Sequence, residues 1–375
     1  MSQPRSRHAH KSPLLVSAPR NRLSLSMKPE ILTTGIGSVP HADKARACRL
    51  VLESFDVPFW PQFPQASFNE SMTAQFCQGL PFLKIDALKE RVWTERDDSG
   101  ALNRFYESMA NRANGAGGAA GADVAVSPIG RDYASGLYEM ETLLAGKRLL
   151  RIKGHVTGPL TFTLGIKGAD GKLLYYDEEM REVALMLLSA KVRWQVARLK
   201  RLADHVLIFI DEPIMSAIGS SAYLGVSSDE TLRLLAELVS VVKEAGASSG
   251  IHCCGKADWE LVFDTCADVI NFDAYKYFHT IEIFHEKINE HLARGGSLAF
   301  GIVPTTEEIR CEDLDSLDRI FMMLMERISG KVDMRLLKNR MMLTPSCGAG
   351  ALSEDEAEKV FSLLKGLKRR LTGRL

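Results

Sequence analysis

From residue 31 onward, short β-branched or apolar runs alternate with amphipathic helical stretches, and no other property restricts the fold of this chain as much. Such alternation is the signature of a parallel sheet whose successive strands are joined by crossover helices. Strand signals fall at 31–39, 57–63, 149–156, 206–210, 250–254, 269–273, 298–303 and 341–345, eight in all. Helical periodicity occupies 178–202, 228–245, 259–266, 281–292, 314–328 and 354–370. Eight strands with intervening helices predict an α/β fold, a (β/α)8 TIM barrel, with residues 29–375 forming one catalytic domain. The stretch at about 66–147, which includes the Gly/Ala-rich run 114–121, is too long for one crossover. It is expected to form a helical insertion after the second strand, beside the barrel mouth.

Composition narrows the function. The 47 basic and 47 acidic side chains cancel, which argues against a nucleic-acid binder. No apolar run approaches the ~18 residues of a membrane helix, so no membrane partner is expected. Residues 1–28 carry Arg5, Arg7, Lys11, Arg20, Arg22 and Lys28 but no acid. They are expected to be a disordered tail, a transit peptide being the alternative. Seven cysteines form an odd number in a chain with no secretory signal, which fits a reducing, cytoplasmic setting better than a disulfide framework.

In barrels of this kind the chemistry gathers at the C-terminal ends of the strands, where the βα loops meet. The polar residues expected there are Gly37-Ser38, His155 with Thr157-Gly158-Pro159, Asp211-Glu212-Pro213, His252-Cys253-Cys254-Gly255, Asp273, Thr305-Thr306 and Ser346-Cys347-Gly348. His252 and Cys254 are two apart on a strand, so both point to one face and Cys253 to the other. Cys347, at the end of the last strand, can reach the same opening. One imidazole and two thiolates suit tetrahedral Zn2+ with a fourth position open. The competing reading is three packed core residues. Zinc held by two thiolates is electron-rich, which favours activating a thiol over activating water for hydrolysis. Cys48, Cys77, Cys266 and Cys311 fall in or beside helical stretches and read as small hydrophobes.

Four segments together resemble the catalytic barrel of cobalamin-independent methionine synthase, within the wider group that includes uroporphyrinogen decarboxylase and the corrinoid-dependent methyltransferases. Thr34-Gly35-Ile36-Gly37-Ser38-Val39-Pro40 looks like the family's opening strand, and Gly154-His155-Val156-Thr157-Gly158-Pro159-Leu160-Thr161 like its Thr-Gly-Pro segment. Ile210-Asp211-Glu212-Pro213 resembles its Ile-Asp-Glu-Pro motif, and His252, Cys254 and Cys347-Gly348 match its zinc ligands in type and order. The resemblance implies that Gly37 and Ser38 hold an amino acid's carboxylate, that Asp211 binds its ammonium, and that His252, Cys254 and Cys347 bind zinc. Asp273 falls where the family places a glutamate as fourth ligand. Glu70 is a further candidate for the ammonium. The bland alternatives are a turn residue for Ser38, a helix cap and first-turn acid for Asp211 and Glu212, and a solvated helix-start acid for Glu70.

Two departures bear on the methyl donor. The family's folate-dependent members carry a second, N-terminal barrel, which is not expected in the thirty or so residues before the first strand. Their proton-donating histidine after the seventh strand has no counterpart in Gly301-Ile302-Val303-Pro304-Thr305-Thr306. A methylated folate needs that proton to leave, whereas a methylcorrinoid leaves on cobalt without one. The expected activity is therefore a zinc-dependent transfer of a methyl group from a methylcorrinoid, or else a methylated folate, to a small thiol. Homocysteine is the leading acceptor, giving methionine, and a corrinoid protein is a candidate partner. Three alternatives stay open: a coenzyme M-type acceptor, a non-catalytic zinc or corrinoid-partner binding module, and a metal-free decarboxylase, which would expect arginines at the mouth.

Overall fold

The computed structural model describes residues 31–113 and 128–374. The expected tail at 1–28 and the Gly/Ala-rich run at 114–121 lie outside the described residues. Among the described residues, ten strands occur in chain order: β1 Leu32–Thr33, β2 Leu83–Asp86, β3 Arg91–Thr94, β4 Leu149–Thr157, β5 Lys167–Gly168, β6 Ala203–Asp211, β7 Ser248–Cys253, β8 Val269–Phe272, β9 Ser297–Val303 and β10 Met341–Pro345. Seven of them form one curled parallel sheet in the order β1-β10-β9-β8-β7-β6-β4.

The segment around 57–63, expected as the second strand, is not a continuous strand. Pro58, Pro61 and Pro64 remove the amide donors that an unbroken ladder requires. What remains is a set of bonds to both sheet edges. Val57 N donates to Thr33 O at 3.0 Å, Gln62 N to Gly37 O at 3.0 Å, and Lys153 N on β4 to Pro58 O at 2.7 Å. Isolated parallel bridges pair Ser38 with Gln62 and Phe59 with Lys153.

The insertion departs from its expected helical character. β2 and β3 form an antiparallel hairpin, and β5 adds to β3 in parallel. Alternation in Leu83-Lys84-Ile85 and β-branched or aromatic residues in Val92-Trp93-Thr94 favour strand here, and Glu90 takes the turn at φ 50°. Helices Ala101–Ala113 and Ser135–Leu143 supply the expected helical part.

Helices Glu178–Leu199, Ser228–Glu244, Leu314–Ile328 and Glu354–Thr372 lie close to their expected bounds. Their starts are fixed by side-chain caps, including capping boxes at Asp313/Ser316 and Ser353/Glu356. The large core lies between these helices and the outer face of the sheet. A separate cluster containing Leu32, Ile36, Val57, Leu207, Phe209 and Met342 fills the inside of the curl. That filling leaves the strand ends as the place for a site. Among the described residues, no helix is long and apolar enough to cross a membrane.

Candidate metal centre

The pairing register lines up Thr157, Asp211, His252, Asn271 and Ala299 as one row across β4, β6, β7, β8 and β9. Facing residues on neighbouring parallel strands point the same way, so this row is the rim of the sheet interior at its C-terminal end. One ligand atom each from His252, Cys254 and Cys347 lies within 4.8 Å of the others. The loops following β7 and β10 deliver the two sulfurs to the imidazole, Cys254 lying one residue past the end of β7 on the side of His252. Cys253 is fully buried on the other side and leans on the carbonyls of Gly255 and Lys256.

His252 is oriented by Asn271, a residue that sequence reasoning missed. The Asn271 amide donates to Ala299 O at 2.9 Å and to Thr344 Oγ1 at 2.8 Å. With both its donors engaged, its Oδ1 faces His252 Nδ1 at 2.5 Å and accepts the ring proton. This tautomer leaves a lone pair on Nε2, which is buried without a hydrogen-bond partner. An orphaned imidazole nitrogen beside two sulfurs fits a zinc ion well. Contact with Cys347 and then with the His252 imidazole pulls the Cys254 thiol down, against burial. The same sulfur contact, with burial, pushes Cys347 up.

Cys347 is carried on a loop that crosses the segment following β1 at Ser38. Ser38 O accepts from Ala349 N at 2.9 Å and Ser38 Oγ from Gly350 N at 3.2 Å. A Cβ at Gly348 would stand 2.1 Å from Ser38 Oγ, so a side chain there would push that hydroxyl out of its bond with Gly350 N. Gly37 and Ser38 are thereby packed next to the metal ligand.

Asp211 is buried, and its Oδ1 has no partner. Burial pushes its carboxyl up, while His252 and Lys153 pull it down. Glu212 takes the helix-capping role on a distant segment. It accepts from Leu160 N at 2.9 Å, Thr161 N at 2.8 Å and Thr161 Oγ1 at 2.6 Å, at the start of helix Pro159–Gly165. A Cβ at Gly158 would stand 2.1 Å from that carboxylate, which ties the Thr-Gly-Pro segment to Glu212. Burial pushes the Glu212 carboxyl up to about 7 despite its three donors.

Asp273 stands outside the three-ligand cluster and caps helix Ala274–Ile281, accepting from Lys276 N at 2.8 Å. Burial pushes its carboxyl up to about 6, against that amide. Glu70 is buried rather than solvated. It accepts from Phe63 N at 3.0 Å and from the Ser135 amide and hydroxyl, which pins the insertion to the 57–63 segment. Lys153, also missed, is fully buried inside the curl. The signals available in sequence are small: Asn271 is a single polar residue in the apolar strand β8, and Lys153 is one of several polar residues in β4.

No family model matches this chain, and no curated protein sequence does. Among solved structures, a B12-independent methionine synthase from Shewanella sp. W3-18-1, in complex with selenomethionine, is similar at 15% identity and a TM-score of 0.55. The match covers 91% of this chain and 98% of that one. It shows a shared fold, consistent with a TIM-barrel architecture. A GH113 beta-mannanase from Alicyclobacillus acidocaldarius matches more loosely, at 12% identity and a TM-score of 0.40 over 93% of this chain and 98% of that one.

Proposed function

We propose that this protein is a zinc-dependent S-methyltransferase that moves a methyl group from a methylcorrinoid to homocysteine, giving methionine. The observation carrying this reading is the trio of His252 Nε2, Cys254 and Cys347 beside Asp211, at the strand ends of a fold shared with a methionine synthase. The bonds of the 57–63 segment to both sheet edges support a closed eight-stranded barrel around that site. Cytoplasmic residence and a corrinoid protein as partner belong to the same reading.

In mechanism, His252, Cys254 and Cys347 would hold the ion, and Asp273, at the end of the next strand, is the fourth ligand that the resemblance suggests. Zinc bound there would lower the pKa of an acceptor thiol and present it as thiolate at neutral pH. Gly37 and Ser38 hold the acceptor's carboxylate, and the partnerless Asp211 Oδ1 takes its ammonium. Fixing both ends aims the sulfur along one line and converts an encounter into a near-attack geometry. The S–CH3 bond forms as the Co–CH3 bond breaks, the electron pair stays on cobalt, and the thiol proton goes to solvent. No protein acid is required, in keeping with Thr305 and Thr306 where a proton donor would stand.

Single-turnover transfer from methylcobalamin and from methylated folate to a panel of thiols, with zinc measured on the same preparation, tests the reading. Methylcobalamin is expected to react at least about tenfold faster, worth ~1.4 kcal/mol in barrier height. Faster transfer from the folate would reassign the donor.

A further inference from the structure

Lys153 lies on β4 with no exposed surface, and its Nζ donates to Ile36 O at 2.5 Å. Ile36 directly precedes Gly37 and Ser38, the turn assigned to the acceptor's carboxylate. The same ammonium lies 4.6 Å from the centre of the Phe209 ring and 5.7 Å from that of Phe59. On β6, Phe209 and Asp211 are two apart and face inward together, so the ammonium sits one layer beneath Asp211. It makes no ion pair among the described residues. A buried ammonium is costly without a counter-charge, and so is a buried carboxylate with a partnerless oxygen. Asp211 is the acid whose field acts on Lys153, and Lys153 in turn acts on Asp211. The aromatic faces add modest support for the cation.

We propose that Lys153 is a positioning residue of the acceptor site: from inside the curled sheet it fixes the Ile36 carbonyl beneath Gly37–Ser38 and serves as the counter-charge of Asp211. Both ends of the amino-acid cradle then rest on one buried cation. Its activity arm depends on the methyltransferase reading, and its stability arm does not.

The test is a double-mutant cycle of Lys153→Met, Asp211→Asn and the two combined, in full-length protein. Urea midpoints are the first readout. Lys153→Met alone leaves Asp211 as an unpaired buried charge, so its midpoint should fall, and adding Asp211→Asn should recover part of the loss. Midpoint losses that simply add would overturn the proposal. Should Lys153→Met fail to fold, a double variant that folds supports the coupling, and one that also fails overturns it. In the second readout, Lys153→Met should raise the KM for homocysteine at least about fivefold with zinc content unchanged, and the double variant should bind homocysteine no worse than Asp211→Asn alone. Wild-type protein that transfers no methyl group to homocysteine would remove the assigned function and leave the midpoint cycle to decide the role of Lys153.

Discussion

Asn271 holds His252 by its Nδ1 at 2.5 Å and turns the opposite ring nitrogen, Nε2, toward Cys254 and Cys347. The ligand's aim is thus set by a neighbour on the adjacent strand. Asn271→Leu keeps the size and removes the acceptor, freeing the ring to rotate and change tautomer. Zinc affinity, measured by competition with a chelator, should fall by about 10- to 100-fold. An unchanged affinity would mean that packing alone orients the ring.

Three cysteine variants separate facing from proximity. Cys254→Ser and Cys347→Ser should each lose most of the zinc, of which the wild type should hold close to one per chain. Cys253→Ser should keep it, because that thiol is buried against Gly255 and Lys256 on the other side of β7. Equal loss from all three would contradict the strand alternation.

Asp211 should decide which thiols are accepted. Asp211→Asn retains the shape and removes the charge, so kcat/KM for homocysteine should fall by roughly 1.5 to 3 kcal/mol, the worth of a charge-assisted hydrogen bond. Thiols lacking an amine should change far less. Equal slowing of every thiol would move a coenzyme M-type acceptor ahead.

Glu212 makes stability depend on pH. Its folded-state pKa of about 7 lies above the ordinary 4.5, so the folded protein holds more of this proton between those values. The contribution is fully present below about pH 4.5 and is lost as pH rises through about 7. Glu212→Gln should weaken the protein at every pH by placing an amide against the Leu160 and Thr161 donors. Its deficit in urea midpoint, however, should be smaller at pH 7.5 than at pH 5. A deficit that grows with pH would reverse the assignment.

The three candidate metal ligands are legible in the sequence because the rules that find them are local: alternation along one strand, and the position of polar residues at strand ends. Asn271 and Lys153 are not, since only cross-strand register brings Asn271 beside His252 and sets Lys153 opposite Leu207, below Asp211 on β6. Glu212 reads locally as an acid at the start of its own helical turn, yet it caps a helix some fifty residues earlier. The prolines at 58, 61 and 64 were visible, and their effect on the ladder follows from the missing amides. The β2–β3 hairpin is not legible, because four-residue strands give little periodic signal.

The loop bearing Cys347 crosses Ser38, more than three hundred residues away along the chain. On the ribosome, residues 31–345 emerge before either that cysteine or the Gly348–Gly350 crossing exists. Of the three proposed ligands, a nascent chain up to residue 345 would offer two, His252 and Cys254. On the proposed reading, the third ligand joins the other two only in chains whose loop after β10 has already crossed Ser38, so tight zinc binding would follow the pairing of β10 with β1.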